Sequence, residues 1–254
     1  MQYALVNGLK SEPRKGEIGF CIGCGGKMIA KCGNLKLHHW AHSVVTKCDS
    51  WWETETEWHR EWKNNFSAEF REVSFYDEFS QEYHRADIHT ASGLTIEFQN
   101  SPLSVEELFS RERFYNQLIW VVNGLKFKGF TKDVHIPNPT SSLLVDYEFV
   151  NSQHLQFVRK NEVLKDRGND VSARSNLAER LSLHHPELKY LEVSSTHFSF
   201  SWRHAHQTWY VAERPVFIDF GGHFLYWMRK RKQISGDYLY LQMISKKKFI
   251  EKYS

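Results

Sequence analysis

The chain has 254 residues, 41% of them hydrophobic and 25% charged, with only six prolines; this excludes a mainly disordered or collagen-like polymer and leaves room for a real core. No run approaches the roughly 18 apolar residues of a membrane span, and MQYALVNGLKSEPRKG lacks a signal-peptide core, so a cytoplasmic protein is expected. The net charge of +3 hides a division: residues 51–128 carry eight Lys/Arg against fourteen Asp/Glu, and 229–254 carry eight against two. An acidic middle between basic ends suits metal ions at the centre and a polyanion gripped from the flanks, although ordinary solvated charge explains the same distribution.

Four cysteines in a reducing compartment are read for metal before disulfides. Cys21 and Cys24 form FCIGCGGK, a CxxC knuckle that turns two thiolates toward one ion. Downstream, KMIAKCGNLKLHHWAH reads as a hairpin turning at Gly33-Asn34; pairing Cys32 with Leu35 sets Met28 opposite His39 and returns the histidines to the knuckle. The expectation is a closed, structural Cys2His2 zinc site. His42 pairs either with His38, by the HxxxH spacing, or with His39, by the HWAH cluster, and Cys32 or Cys48 stands as a substitute for a histidine.

The segment WWETETEWHREWKNNFSAEF has helical composition, with Ser50 and Glu53 in capping-box spacing. At 100° per residue Glu55, Trp58, His59, Trp62, Phe66 and Phe70 share one stripe with Lys63 at its edge, while Glu57 and Glu61 point away. A carboxylate and an imidazole inside an apolar stripe are candidates for chemistry. Next, RADIHT and LTIEFQ flank Ala91-Ser92-Gly93; a three-residue loop with glycine in the left-handed position pairs Thr90 with Leu94, and hence Asp87 with Glu97 and Arg85 with Gln99. Opposed carboxylates repel unless something positive lies between them, and a divalent cation meets that need. Ser104 with Glu107 starts a second helix to about Asn116, followed by the buried strand QLIWVVN.

Helix, strand near Val73–Tyr76, hairpin, helix, strand is the αβββαβ order of the PD-(D/E)xK, restriction-endonuclease-like core. CxxC, HWAH, ETEWHREWK, RADI and IEFQNSPLS, in this order, resemble the competence protein CoiA-like family over roughly residues 18–123. The resemblance implies a zinc-ribbon-like head (1–49) on a nuclease core (50–128) and favours His39 with His42. Gln99 stands where the superfamily usually has lysine. In that frame Asp87 and Glu97, with Glu55, are expected to hold Mg²⁺ or Mn²⁺, Lys63 to supply the missing positive charge, His59 to donate to a phosphate or leaving oxygen, and Gln99 to orient water.

Residues 129–254 read as a smaller α+β accessory region: a loop at IPNPTSS, a strand LLVDYEFV, a helix around Asn176–His185, a hairpin VFIDF-GG-HFLYW, a strand DYLYLQMI and a helix KKKFIEKY capped by Ser245. His204-x-His206 lacks companions and is read as incidental. Arg229, Lys230, Arg231 and Lys232, with Lys246, Lys247 and Lys248, are the expected phosphate-binding residues of a basic tail. The expected function is a metal-dependent nuclease acting on DNA, in competence, repair or phage defence. The alternative is a zinc-containing DNA-binding protein that keeps the nuclease fold without turnover.

Overall fold

The computed structural model describes residues 1–34, 36–44, 48–151, 154–165 and 178–254 as a mixed α+β protein. It divides into two compact units: one comprises Met1–Asn123, His206–Pro215 and Lys247–Ser254, the other Gly124–Ala205 and Val216–Lys246. The expected head and the core up to Asn123 thus fall in one unit, core residues 124–128 fall in the other, and the expected accessory region contributes to both. Among the described residues no helix is long and apolar enough to cross a membrane.

The first unit begins with an antiparallel sheet in the order β2-β1-β3-β4-β5, built from β1 (Ala4–Val6), β2 (Leu9–Ser11), β3 (Ile18–Phe20), β4 (Lys27–Lys31) and β5 (His39–His42). Its small core gathers Ala4, Cys21, Met28, Trp40 and Cys48. β4 pairs with β5 as expected, but Met28 lies opposite His42 and Lys31 opposite His39. The connection is a long loop rather than a two-residue turn, and Leu35 lies outside the described residues. That three-residue slip carries His39 away from the knuckle and brings His42 beside it.

The core elements follow in the expected order: helix α1 (Glu57–Lys63), strands β6 (Arg71–Asp77), β7 (Glu82–His89) and β8 (Thr95–Gln99), helix α2 (Val105–Phe114) and strand β9 (Leu118–Asn123). Within this unit the strands run β9-β8-β7-β6, with β8 and β9 parallel and the other pairs antiparallel. A parallel pair needs a crossover, and α2 supplies it. Thr90 donates its amide to Leu94, Gly93 closes the loop at φ +82°, and Ile88 faces Ile96. The glycine is required because an L side chain there would be strained. Ser104 Oγ accepts from the Glu107 amide and starts α2. Trp62 stacks on Phe98 and meets Phe249 edge-on, which packs α1 and the chain's last helix (Lys246–Tyr253) together within the unit.

The expected long helix from Ser50 is not formed. Ser50 Oγ instead donates to Glu82, and α1 starts at a capping box of Thr56 and His59, each side chain bonded to the other's backbone amide. Before it, exposure alternates with period two: Trp51, Glu53 and Glu55 are half-buried, whereas Trp52 and Thr54 are exposed. An extended approach therefore replaces two helical turns.

The second unit holds an antiparallel sheet in the order Phe130–Pro137, Val193–Trp202, Tyr238–Ser245, Phe224–Arg231 and Val216–Asp219, plus a three-stranded sheet of Tyr147–Phe149, Gln156–Arg159 and Leu181–Ser182. The expected hairpin at VFIDF and HFLYW is present. LLVDYEFV divides into a 3₁₀ turn (Ser142–Leu144) and a short strand. The helix expected around Asn176–His185 starts outside the described residues, and its described part carries a strand instead.

Candidate functional site

Two sites lie in the first unit. In the head, one ligand atom from each of Cys21, Cys24, His42 and Cys48 lies within 4.8 Å of the others, an arrangement that can hold a metal ion. The Cys21 and Cys48 sulfurs are 3.7 Å apart, close to the ~3.8 Å edge of a tetrahedron with Zn–S bonds of about 2.3 Å. Cys24 Sγ lies 3.3 Å from His42 Nε2. The knuckle is closed by the Cys21 amide donating to Gly26 O and the Gly25 amide to Cys21 O, and a Cβ on Gly26 would sit 3.2 Å from Cys24 Sγ. The hydrogen bond shared with Cys48, with nearby backbone amides, holds the Cys21 thiol below its ordinary range against the opposing effect of burial. Three sulfurs and one imidazole suit zinc.

The ligand set differs from the expected Cys2His2 set in one member. His39 Nδ1 bonds to Leu37 O at 2.8 Å and takes no part, because residues three apart on a strand point to opposite faces. Cys48 takes its place, buried beside Cys21, and its carbonyl accepts from the Tyr83 amide of β7.

The second site is a small cavity of about 50 Å³ lined by Glu55, His59, Lys63, Asp87, Glu97 and Gln99, together with Glu53, Glu72 and Arg111. All six expected residues therefore converge, from the extended segment, α1, β7 and β8. Strand pairing lapses where the carboxylates meet: Asp87 Oδ2 accepts the Phe98 amide at 3.0 Å, and Glu97 Oε1 lies 3.4 Å from the Asp87 amide. Cations already stand among these acids. Lys63 Nζ is 2.9 Å from Glu55, 2.9 Å from Glu72 and 4.0 Å from Asp87, and Arg111 Nη1 is 3.2 Å from Glu97. Among the described residues, Asp87, Glu97 and Glu55 do not close into a ligand group as the head residues do.

Glu53, Glu72 and Arg111 escaped the sequence reading. Glu53 accepts from Gln99 Nε2 at 2.7 Å and lies 3.6 Å from His59 Nε2. Thr56 donates its amide to His59 Nδ1, so the proton sits on Nε2, facing Glu53. Glu72 has φ +48°, and its carboxylate takes the Gln2 and Tyr3 amides as well as Lys63. This fully buried pair fixes the lysine head. The only sequence signal was for Glu53, had the segment been read with period two. Nothing local marks Glu72 or Arg111.

Burial, reinforced by Asp87, pushes Glu53 up to about 7 and Glu97 up to about 8, while burial lowers His59. Burial opposes charge on Lys63, but Glu72, Asp87 and Glu55 outweigh it and raise its pKa. Burial likewise opposes charge on Glu72, and Lys63 and Arg85 outweigh it and depress that group far into acid. Glu53 and Glu97 titrate higher in the folded state than at their ordinary 4.5. Their contribution to stability is therefore fully present below about pH 4.5 and is lost as pH rises through about 7 to 8. The thermal midpoint of protein without added divalent metal is expected to fall between about pH 5 and about pH 8.5, with a shallower fall in Glu97→Gln. Equal slopes in the two proteins would contradict the assignment.

The four side chains of the basic run Arg229–Lys232 do not share one exposed face. Along the strand Phe224–Arg231, Arg229 turns inward to Gln242 (2.9 Å) over the Trp227 ring, and Arg231 donates to Leu144 O (2.6 Å) and Tyr147 O (2.9 Å). Lys230 and Lys232 are exposed. Lys246 pairs with Asp219 at 3.1 Å and Lys247 with Glu251 at 3.7 Å, while Lys247 and Lys248 belong to the other unit. Two of the expected phosphate ligands, Arg229 and Arg231, thus serve packing in this arrangement. Compared with known proteins, the chain matches no family model, no curated protein and no solved structure.

Proposed function

We propose that the chain is a divalent-metal-dependent nuclease that hydrolyses phosphodiester bonds in DNA, as part of DNA processing such as competence, repair or phage defence. The observation that carries this reading is the pair of buried carboxylate oxygens, Glu53 Oε1 and Glu55 Oε2, that have no hydrogen-bond partner among the described residues and belong to side chains lining the cavity with Asp87 and Glu97. A buried carboxylate oxygen without a partner is costly, and a cation relieves the cost. The αβββαβ element order and the resemblance of the motifs to the CoiA-like family support the same reading.

Asp87, Glu97 and Glu55 would hold Mg²⁺ or Mn²⁺, which supplies Lewis acidity: a lowered pKa for attacking water and neutralisation of charge on the phosphoryl oxygens. The chain's own groups do the rest. Lys63, held by Glu72, contributes a fixed positive charge beside Asp87 in place of the superfamily lysine replaced by Gln99. His59 Nε2–H would donate a hydrogen bond to a leaving oxygen. In the head, Cys21, Cys24, His42 and Cys48 would hold a structural Zn²⁺.

The runner-up, a DNA-binding protein without turnover, is favoured by one observation: Lys63 and Arg111 already neutralise three of the acids. Incubating purified protein with labelled linear and circular DNA, with Mn²⁺ and with chelator, separates the two, since only the nuclease gives metal-dependent products. Within that assay Glu55→Ala is expected to cost about a hundredfold, whereas Glu57→Ala, on the exposed face of α1, should stay near wild type. Equal losses in the two variants would remove Glu55 from the site.

A further inference from the structure

The structure assigns a further role to Trp52: we infer that its indole is a stacking platform for an unpaired nucleobase next to the carboxylate cavity, so that the substrate is a single-stranded or locally unpaired segment rather than intact duplex. The inference rests on the nucleic-acid reading of the site and adds the substrate class to it.

The two neighbouring tryptophans have different fates. Trp51 turns inward, its ring stacked on His84 at 3.3 Å with 9° between planes and Arg111 5.5 Å from its centre. Trp52 turns outward and is 53% exposed. Among the described residues its indole makes no ring contact or hydrogen bond. A single exposed aromatic is ordinary by itself; its position is not. Trp52 lines the 50 Å³ cavity that holds Glu55, Asp87 and Glu97, and it also lines an open groove of about 780 Å³. The lining of that groove carries Lys36, His38, His39 and Arg60 beside acidic side chains, and Arg60 is paired with Glu55 at 3.5 Å. One indole therefore borders both the acids and a cleft lined by the exposed Lys36.

Its chemistry selects the ligand. An indole face attracts any nucleobase by stacking, without reading sequence, and Lys and Arg nearby follow the phosphates. In a duplex the base faces are covered by their neighbours and only the edges are presented, so Trp52 is reachable only by a base that has left its stack. The groove has the volume of a small-molecule pocket, enough for a nucleotide or two. His39, displaced from the zinc site by the register of β4 and β5, lies on this groove.

The test is binding without turnover. Fluorescence anisotropy with a labelled oligothymidylate and with a blunt hairpin duplex, both without added divalent metal, is measured for the full chain and for Trp52→Ala and Trp52→Phe, with melting curves to verify that each variant is folded. The inference expects single-strand affinity to fall about five- to a hundredfold in Trp52→Ala and to be largely kept in Trp52→Phe, with weak duplex binding that the substitutions leave alone. Unchanged single-strand affinity in Trp52→Ala, or a preference for the duplex, overturns it. Cleavage with Mn²⁺ is followed in parallel. Trp52-dependent binding without cleavage would refute the nuclease reading alone; cleavage with unchanged Trp52→Ala affinity would refute the stacking site alone; a chain that neither binds nor cleaves either probe would refute both.

Discussion

Asp87→Ala and Glu97→Ala are each expected to lower Mn²⁺-dependent cleavage by about a hundred- to a thousandfold, the usual effect of deleting a group that stabilises charge in the transition state. The two losses should differ in their structural cost. Asp87 accepts the Phe98 amide where the strand ladder lapses, so alanine leaves that buried donor unpaired and should also destabilise the fold by about 1–3 kcal/mol. Asp87→Asn keeps the acceptor and removes the charge; it should retain the fold and lose the activity. Glu97 faces Arg111, which also bonds Glu107 and Trp51 O, so Glu97→Gln leaves the guanidinium partnered. DNA affinity without added divalent metal should be unchanged or tighter in both isosteric variants, because negative charge beside phosphate is lost. Full activity in Asp87→Asn and Glu97→Gln would remove the metal site from this cavity and leave the binding protein as the better reading.

Loss of the head ion is expected to be the largest effect on folding. Structural zinc in small modules is worth about 10–16 kcal/mol of apparent binding energy, more than the stability of a typical domain. Cys21→Ser or Cys48→Ser should therefore unpack the head core around Met28 and Trp40, read as loss of the near-ultraviolet signal of Trp40 and of stoichiometric zinc by elemental analysis. The damage should reach the cavity, because Glu72, which orients Lys63, is held by the Gln2 and Tyr3 amides of the head. Cys32→Ser is the control, since Cys32 stands apart from the cluster with only a long contact to Pro13 O at 3.7 Å. The paired histidines give the sharper discrimination: His42→Ala should lose the metal and His39→Ala should keep it. The opposite result, or protein purified without chelator that contains no zinc, would refute the Cys21/Cys24/His42/Cys48 assignment.

What was legible came from short-range rules. Gly93 can take φ +82° where other residues are strained, and once the loop closes there the period of two puts Asp87 and Glu97 across from each other. The same logic reveals α2 from Ser104 and Glu107, and the knuckle from a CxxC followed by glycines. Where two local rules competed, the wrong one could be read with equal justice. Ser50 and Glu53 have the spacing of a capping box, yet Thr56 and His59 form it, and the extended chain before them turns both Glu53 and Glu55 inward where a helix would have separated them. Glu55 was thus located by a helical phase that does not exist at that position.

The remaining features depend on approach between distant segments, which no local period encodes. Cys48 can complete the cluster because it packs beside Cys21, 27 residues away in sequence, and His39 is excluded because the β4–β5 connection is longer than a tight turn, a length that shifts register without leaving a mark in composition. Glu72 carries a left-handed backbone that only its contacts with Gln2, Tyr3 and Lys63 sustain. The basic run at Arg229–Lys232 looked like one surface because adjacency in sequence was taken for adjacency in space; a strand sends alternate side chains to opposite faces, and tertiary packing used two of the four for its own hydrogen bonds. Residue chemistry and local spacing were enough to name the acids and thiols. Which of them meet, and which cations stand among them, followed from the long-range contacts that desolvate them.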